Sequence, residues 1–310
     1  MSQPIPINTR KPSLLSRVTK GILQRPLRVL LYGAEGCGKT TFASQAPNPI
    51  YMCAEDGTAQ LDVARLPEPQ DWSDIMAIFD ALSNEAHDYQ TLVIDTLDWL
   101  EPLIWREVCK RGKKSSIEDF GFGKGYIAAV DLWREFILQC LALSSKRQMH
   151  LIALGHSVVR RVEDPVTGTY DRHALKLHEK SAGLWRESVD CVLFCRVEVF
   201  LTTDSRTQKT RGSGSGSRVV HTSPTFGYDA KNRYDLPEQI PLDWHEFFQG
   251  TQKAAPDDPA KLRTRLEELL PQLDEDRKGK LRKFLDSNPD ARALAITLDR
   301  TITLTAVKGE

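Results

Sequence analysis

The chain has 310 residues, 40% of them hydrophobic and 27% charged, which suits a globular protein with one large core and a small appendage. Lys and Arg number 42, as do Asp and Glu; this balance excludes a global basic field, so any nucleic-acid contact must come from local patches. No leader or membrane-length apolar run is visible, and the six cysteines (37, 53, 109, 140, 191 and 195) form no C-x-x-C pair or zinc spacing, as expected for a reducing cytosol without a membrane anchor.

Residues 1–24, with Pro4, Pro6, Pro12 and the basic apolar stretch "LLSRVTKGIL", read as an N-terminal arm. From Arg28 the pattern alternates: strand 28–32, helix 39–45, strand 50–54, helix 73–83, strand 91–95, helices near 97–110 and 124–143, strand 149–154. Asp71 is placed to cap the 73–83 helix, whose Ile75, Ile78, Phe79 and Leu82 fall on one face. The alternation predicts an α/β core over 25–249 with a mostly parallel central sheet. After Cys191, "CVLFCRVEVFLTT" and "RVVHT" read as a β-hairpin extension with a long polar connection. Residues 250–258 read as a linker, and 259–310 as a small helical module with Leu262, Leu266, Leu269 and Leu270 at helical spacing.

Within "LLYGAEGCGKTTFASQAP" (30–47), Gly33, Gly36, Gly38, Lys39 and Thr40 complete G-x-x-x-x-G-K-T after an apolar strand, the P-loop pattern. Glycines permit positive φ and bring backbone N–H groups to phosphate oxygens, and the following helix aims its positive end at the same anion. Lys39 is expected on the β- and γ-phosphates of ATP, Thr40 on Mg²⁺, and Thr41 beside them. "TLVIDT" places Asp95 at a strand end as the second Mg²⁺ acid, while "PIYMCAEDGTAQLD" ends a strand just before Glu55 and Asp56, at the edge where open α/β sheets bind ligands. "GFGKG" (121–125) lacks the dinucleotide spacing and reads as a loop. Cys37 has no role in this picture, and Cys191 and Cys195 read as buried thiols.

A carboxylate after the strand that follows the P-loop helix resembles the RecA-type ATPases. The resemblance implies that Glu55 activates water, with Asp56 as the fallback. "MHLIALGHSVVRRV" sets His156 where such proteins keep a γ-phosphate sensor. "FGFGKGYIAAVDLW", "DPVTGTYDRH" and "YDAKNRYDLPEQIPLDW" are similar to a phage-encoded branch described as AAA-type nucleotide-binding or single-strand annealing proteins; the likeness covers about 22–248. It implies a RecA-like P-loop core, assembly into a ring or filament, a host-cytoplasmic location, and Lys231 and Arg233 reaching a neighbour's γ-phosphate.

Single-stranded DNA is the partner so implied. The connection "RTQKTRGSGSGSR" carries Arg206, Lys209, Arg211 and Arg218 without an acid, and the 157–186 connection carries Arg160, Arg161 and Lys176, both suited to a phosphate backbone. A single-strand-binding or replisome partner would engage the C-terminal module. Two alternatives stay open: a small-molecule kinase with an arginine-rich lid, and an ATP switch that loads a helicase or packages DNA.

Overall fold

The computed structural model describes residues 25–53, 57–198, 200–203, 210–213, 216–252 and 259–287, with isolated residues beyond them. Chain contacts divide it into a unit spanning Arg25–Lys253 and a second containing Ala254–Glu310 with Met1–Gln24.

In the larger unit, strands β1 (Arg28–Gly33), β2 (Pro49–Cys53), β3 (Ala64–Arg65), β4 (Thr91–Asp95), β5 (His150–Asp164), β6 (Gly168–Leu175), β7 (Cys191–Val197), β8 (Phe200–Thr203), β9 (Thr210–Ser213), β10 (Arg218–His221), β11 (Lys231–Asn232) and β12 (Gln239–Pro241) alternate with helices. These are α1 (Lys39–Ser44), α2 (Trp72–Asn84), α3 (Leu97–Gly112), α4 (Lys124–Arg147), α5 (Glu179–Ser188) and α6 (Trp244–Thr251). The sheet order is β12-β10-β7-β1-β5-β4-β2-β3. From β7 to β3 every neighbour is parallel, and β10 and β12 join antiparallel beyond β7. This is the mostly parallel α/β sheet expected of a RecA-like P-loop core.

The strands are apolar on both faces because both are covered. Successive side chains point to opposite sides, so Leu30, Tyr32, Met52, Leu92 and Ile94 pack with α2, α3, α4 and α5 residues such as Phe79, Ile104, Trp133 and Trp185. Val29, Leu31, Tyr51, Val93 and Ile152 pack on the other side with Phe42 of α1 and Trp244 and Phe247 of α6. Asp71 caps α2, its carboxylate accepting from the Ser73 and Asp74 N–H groups, and Ile75, Ile78, Phe79 and Leu82 are buried.

Two expected boundaries change. The strand expected to stop at 154 runs on to Asp164, turns, and returns as β6, with Arg160 opposite Arg172. The 157–186 connection is therefore a β-hairpin followed by α5, because Pro165–Gly168 supplies a turn between two alternating runs. The extension after Cys191 is a long hairpin: β7 pairs β10 within the main sheet, and β8 pairs β9 as a separate ribbon.

The smaller unit contains α7 (Pro259–Leu269) and α8 (Glu275–Asp286). Leu262, Leu266, Leu273, Leu281, Leu285, Leu294 and Leu298 are buried together, with Leu269 and Leu270 partly buried against them.

Candidate nucleotide site

β1 leaves the sheet at Gly33, where a Cβ would stand 2.3 Å from the Cys195 carbonyl oxygen. Only glycine lets β7 approach so closely. The chain then turns through Gly36 and Gly38 at φ +69° and +101°, and α1 begins at Lys39. The Lys39 Nζ donates to the carbonyls of Ala34 (3.0 Å) and Gly33 (3.4 Å), which holds the ammonium against its own loop. Thr40 Oγ1 donates to Asp95 Oδ2 at 2.9 Å. Tyr51 on β2 donates to the Thr40 carbonyl at 3.0 Å, fixing α1 to the sheet.

These residues open onto a cavity of about 390 Å³ lined by Gly36, Gly38, Lys39, Thr40, Thr41 and Asp95, with Gly57, Gln60, His156 and Arg218 completing its wall. Gly33 lies behind, against Cys195 and Cys37. The Cys37 and Cys195 thiols are hydrogen-bonded; that bond pulls Cys37 down, while bonding and burial push Cys195 up. The loop at 57–63 is stapled by Arg65, which donates to Thr58 Oγ1 at 2.7 Å and to the carbonyls of Thr58, Leu61 and Val63.

His156, level with Gly33 in the register, is 6% exposed. Its backbone N–H donates to Asp98 Oδ1 at 3.0 Å, and its ring Nδ1 lies 2.9 Å from Asp98 Oδ2. Burial pushes the Asp98 carboxyl up, but the His156 ring and backbone outweigh it and hold it below its ordinary value. Lys176, just beyond β6, stands 3.9 Å from the same Asp98 oxygen and donates its N–H to the His156 carbonyl. Asp98 thus ties the cavity wall to the base of the β5–β6 hairpin. Its position three residues past Asp95, in the first turn of a helix that follows the acid, is the sequence signal that could have found it.

Glu55, Asp56, Arg206 and Lys209 lie outside the described residues; the first two fall between Cys53, which ends β2, and Gly57 on the cavity wall. Arg211 is in β9, opposite Thr202. Arg160 and Arg161 are on the hairpin.

Three further residues have specific surroundings. Arg218, expected on a DNA loop, starts β10 and lines the nucleotide cavity; its guanidinium would stand 2.9 Å from a Cβ on Gly38. Lys231 and Arg233, expected at a neighbour's γ-phosphate, are at the sheet edge opposite this chain's own nucleotide cavity. Lys231 pairs with Val192 near the start of β7, on the order of 10 Å along that strand from Cys195, the neighbour of Gly33. Its Nζ donates to the carbonyls of Arg186 (2.9 Å), Glu187 (3.2 Å) and Val189 (2.7 Å), capping the end of α5. Arg233 donates to Asp190 Oδ1 at 3.0 Å, an oxygen that Arg25 also takes at 2.6 Å.

Residues 25–234 match the family described as AAA domain. The chain belongs to this family. An AAA domain whose P-loop lysine, threonine and strand-end acid converge in this way is a P-loop ATPase. A SPbeta prophage-derived uncharacterized protein of Bacillus subtilis (strain 168), YorG, is 25% identical over 149 residues, 47% of this chain and 42% of that protein's length. The RadB recombinase structure is similar over 66% of this chain and 90% of its own, at 13% identity and a TM-score of 0.36. No described helix of this AAA domain protein is long and apolar enough to cross a membrane.

Proposed function

We propose that this protein is a phage-type, DNA-stimulated ATPase that acts on single-stranded DNA in annealing or recombination, as a self-assembling protein of the host cytoplasm. The observation that carries the reading is that Thr40 and Asp95, in contact, share a cavity with His156, which Asp98 links to Lys176 at the base of the arginine-bearing hairpin. A wall residue sharing a strand with Arg160 and Arg161 gives strand contact a route to the nucleotide.

The residues present fit ATP and Mg²⁺. Glycines at positive φ open the loop backbone, and Lys39 and Arg218 supply cations to the phosphate chain. Mg²⁺ would be held by Thr40 Oγ1 and Asp95 Oδ2, where it would neutralise charge on the transferred phosphoryl group. Glu55 takes the proton of the attacking water, Asp56 being the alternative, and Arg218 stabilises charge as it develops. His156, oriented by Asp98, senses the γ-phosphate.

The test is ATP hydrolysis measured alone, with single-stranded DNA and with duplex. Stimulation by the single strand supports the reading. Glu55→Gln should keep ATP binding and lose hydrolysis by orders of magnitude. Arg218 over the cradle within one chain also favours a second reading, phosphoryl transfer to a small acceptor, in which Arg218 acts as a lid. Phosphate appearing on an added nucleoside rather than in solution would establish it.

A further inference from the structure

The base of the β5–β6 hairpin and α5 enclose a second cavity of about 280 Å³, which shares no lining residue with the nucleotide cavity. Antiparallel register sets Arg160 directly opposite Arg172, both half-buried on one face. Like charges facing across a strand pair are destabilising, and here Arg186 of α5 is added to them on the cavity lining. Among the described residues the acids on that lining are Glu179 and Asp229; Arg161 alternates to the other face, opposite Asp171, so the guanidiniums of Arg160, Arg172 and Arg186 against two carboxylates leave a formal charge of +1.

Asp229 is already divided: one oxygen takes Arg172 at 2.5 Å and the other takes Arg186. Among the described residues Arg160 has one hydrogen bond, to the Leu177 carbonyl at 2.5 Å, for a group with five N–H donors. The buried Arg172 Nε has no hydrogen-bond partner among the described residues. Unspent donors on like charges in a recess are matched by a compact, multiply charged acceptor, and guanidiniums pair with phosphate through two parallel hydrogen bonds.

We propose that this cavity binds a phosphate group, held by Arg160, Arg172 and Arg186, with Asp229 fixing the last two in place. The phosphate belongs either to a phosphodiester of a DNA strand or to a free phosphate-bearing small molecule. The first source rests on the DNA reading above; the site itself does not.

The experiment uses full-length Lys39→Ala protein, so that the P-loop cation does not contribute, titrated calorimetrically with inorganic phosphate and with a short oligothymidylate. Two variants are compared in that background: Arg160→Ala, which removes the least committed guanidinium, and Ala174→Glu, which puts a carboxylate on the cavity wall. Thermal melting checks that each is folded. Inorganic phosphate should bind, and both variants should weaken it roughly tenfold or more. If the oligonucleotide also binds and is weakened alike, the DNA strand is the source. If phosphate binds and the oligonucleotide does not, the site stands with a small-molecule ligand and the DNA reading fails. Oligonucleotide binding that neither variant alters, with no binding of phosphate, would keep DNA contact and overturn the site. Folded protein that binds neither ligand overturns both.

Discussion

At the C-terminal edge of β1, Lys39 faces two backbone carbonyls; at the other edge of the same sheet, Lys231 faces three. Each lysine has an arginine nearby and each is partly withdrawn from water. What separates them is the surroundings. Around Lys39 stand glycines at positive φ, a hydroxyl and a carboxylate in contact, and a cavity of about 390 Å³, so several ligands of one anion and its cation converge. Around Lys231 the last carbonyls of α5 take up all three ammonium protons, satisfying groups that a helix end leaves open. Burial lowers the Lys231 pKa, and Arg233 lowers it further. Lys39 keeps an ammonium proton beyond its two carbonyls, whereas Lys231 has three carbonyls for three protons, and the spacing Lys-x-Arg in a sequence carries no information about that.

The largest effect that tests this contrast is at Lys39. Lys39→Ala should weaken ATP binding by roughly a hundredfold or more, read with a fluorescent ATP analogue, whereas Lys231→Ala should bind the analogue as the natural protein does. Equal losses at both positions would break the contrast. Next is Arg218, the cation that the P-loop edge gains from β10. Arg218→Ala should slow single-turnover hydrolysis by about 10²- to 10³-fold, with a smaller change in ATP affinity. A loss of affinity as large as the loss of rate would make Arg218 a binding residue only.

A smaller effect, on stability rather than chemistry, is expected at Lys231. Lys231→Met removes the donor that three carbonyls share and should lower the unfolding free energy by about 1–3 kcal/mol in urea titration. Mixing Lys231→Met protein with Lys39→Ala protein should give no more activity than the first contributes alone. Activity that rises with total protein concentration in the mixture would establish a shared-site role for Lys231.

The P-loop edge was legible because its information is local. An apolar strand, G-x-x-x-x-G-K-T within ten residues, and Asp95 at the end of "TLVID" each declare themselves without knowledge of the fold. The sheet followed from the alternation of short apolar runs with helical periods, which is why β1, β2, β4 and the start of β5 fall where expected. The surroundings of the remaining residues depend on pairing between distant segments. Arg218 looks like the end of a basic Gly/Ser tract until β10 is known to lie beside β7, and β7 beside β1. The hairpin at 150–175 alternates in sequence, but its charged faces disguise it as a polar connection. Lys231 reads as an exposed cation because the carbonyls it caps are more than forty residues away in sequence.

The smallest effect separates Arg233 from Lys231 within the same edge. Asp190 is almost fully buried, and its Oδ1 accepts from both Arg25 and Arg233, whose side chains are 45% and 53% exposed. An exposed guanidinium contributes little to an ion pair because water screens the attraction and the long side chain loses freedom in making it. Arg233→Ala alone should therefore cost under about 1 kcal/mol, since Arg25 still meets the carboxylate. Arg25→Ala should behave alike for the reciprocal reason. Removing both strands a buried carboxylate with no guanidinium, so the double variant should lose more than the two single losses added together, an interaction that a double-mutant cycle in urea measures directly. Strict additivity would show that the two arginines do not act on one Asp190 oxygen, and that Arg233 is held at this edge by less than its contacts indicate.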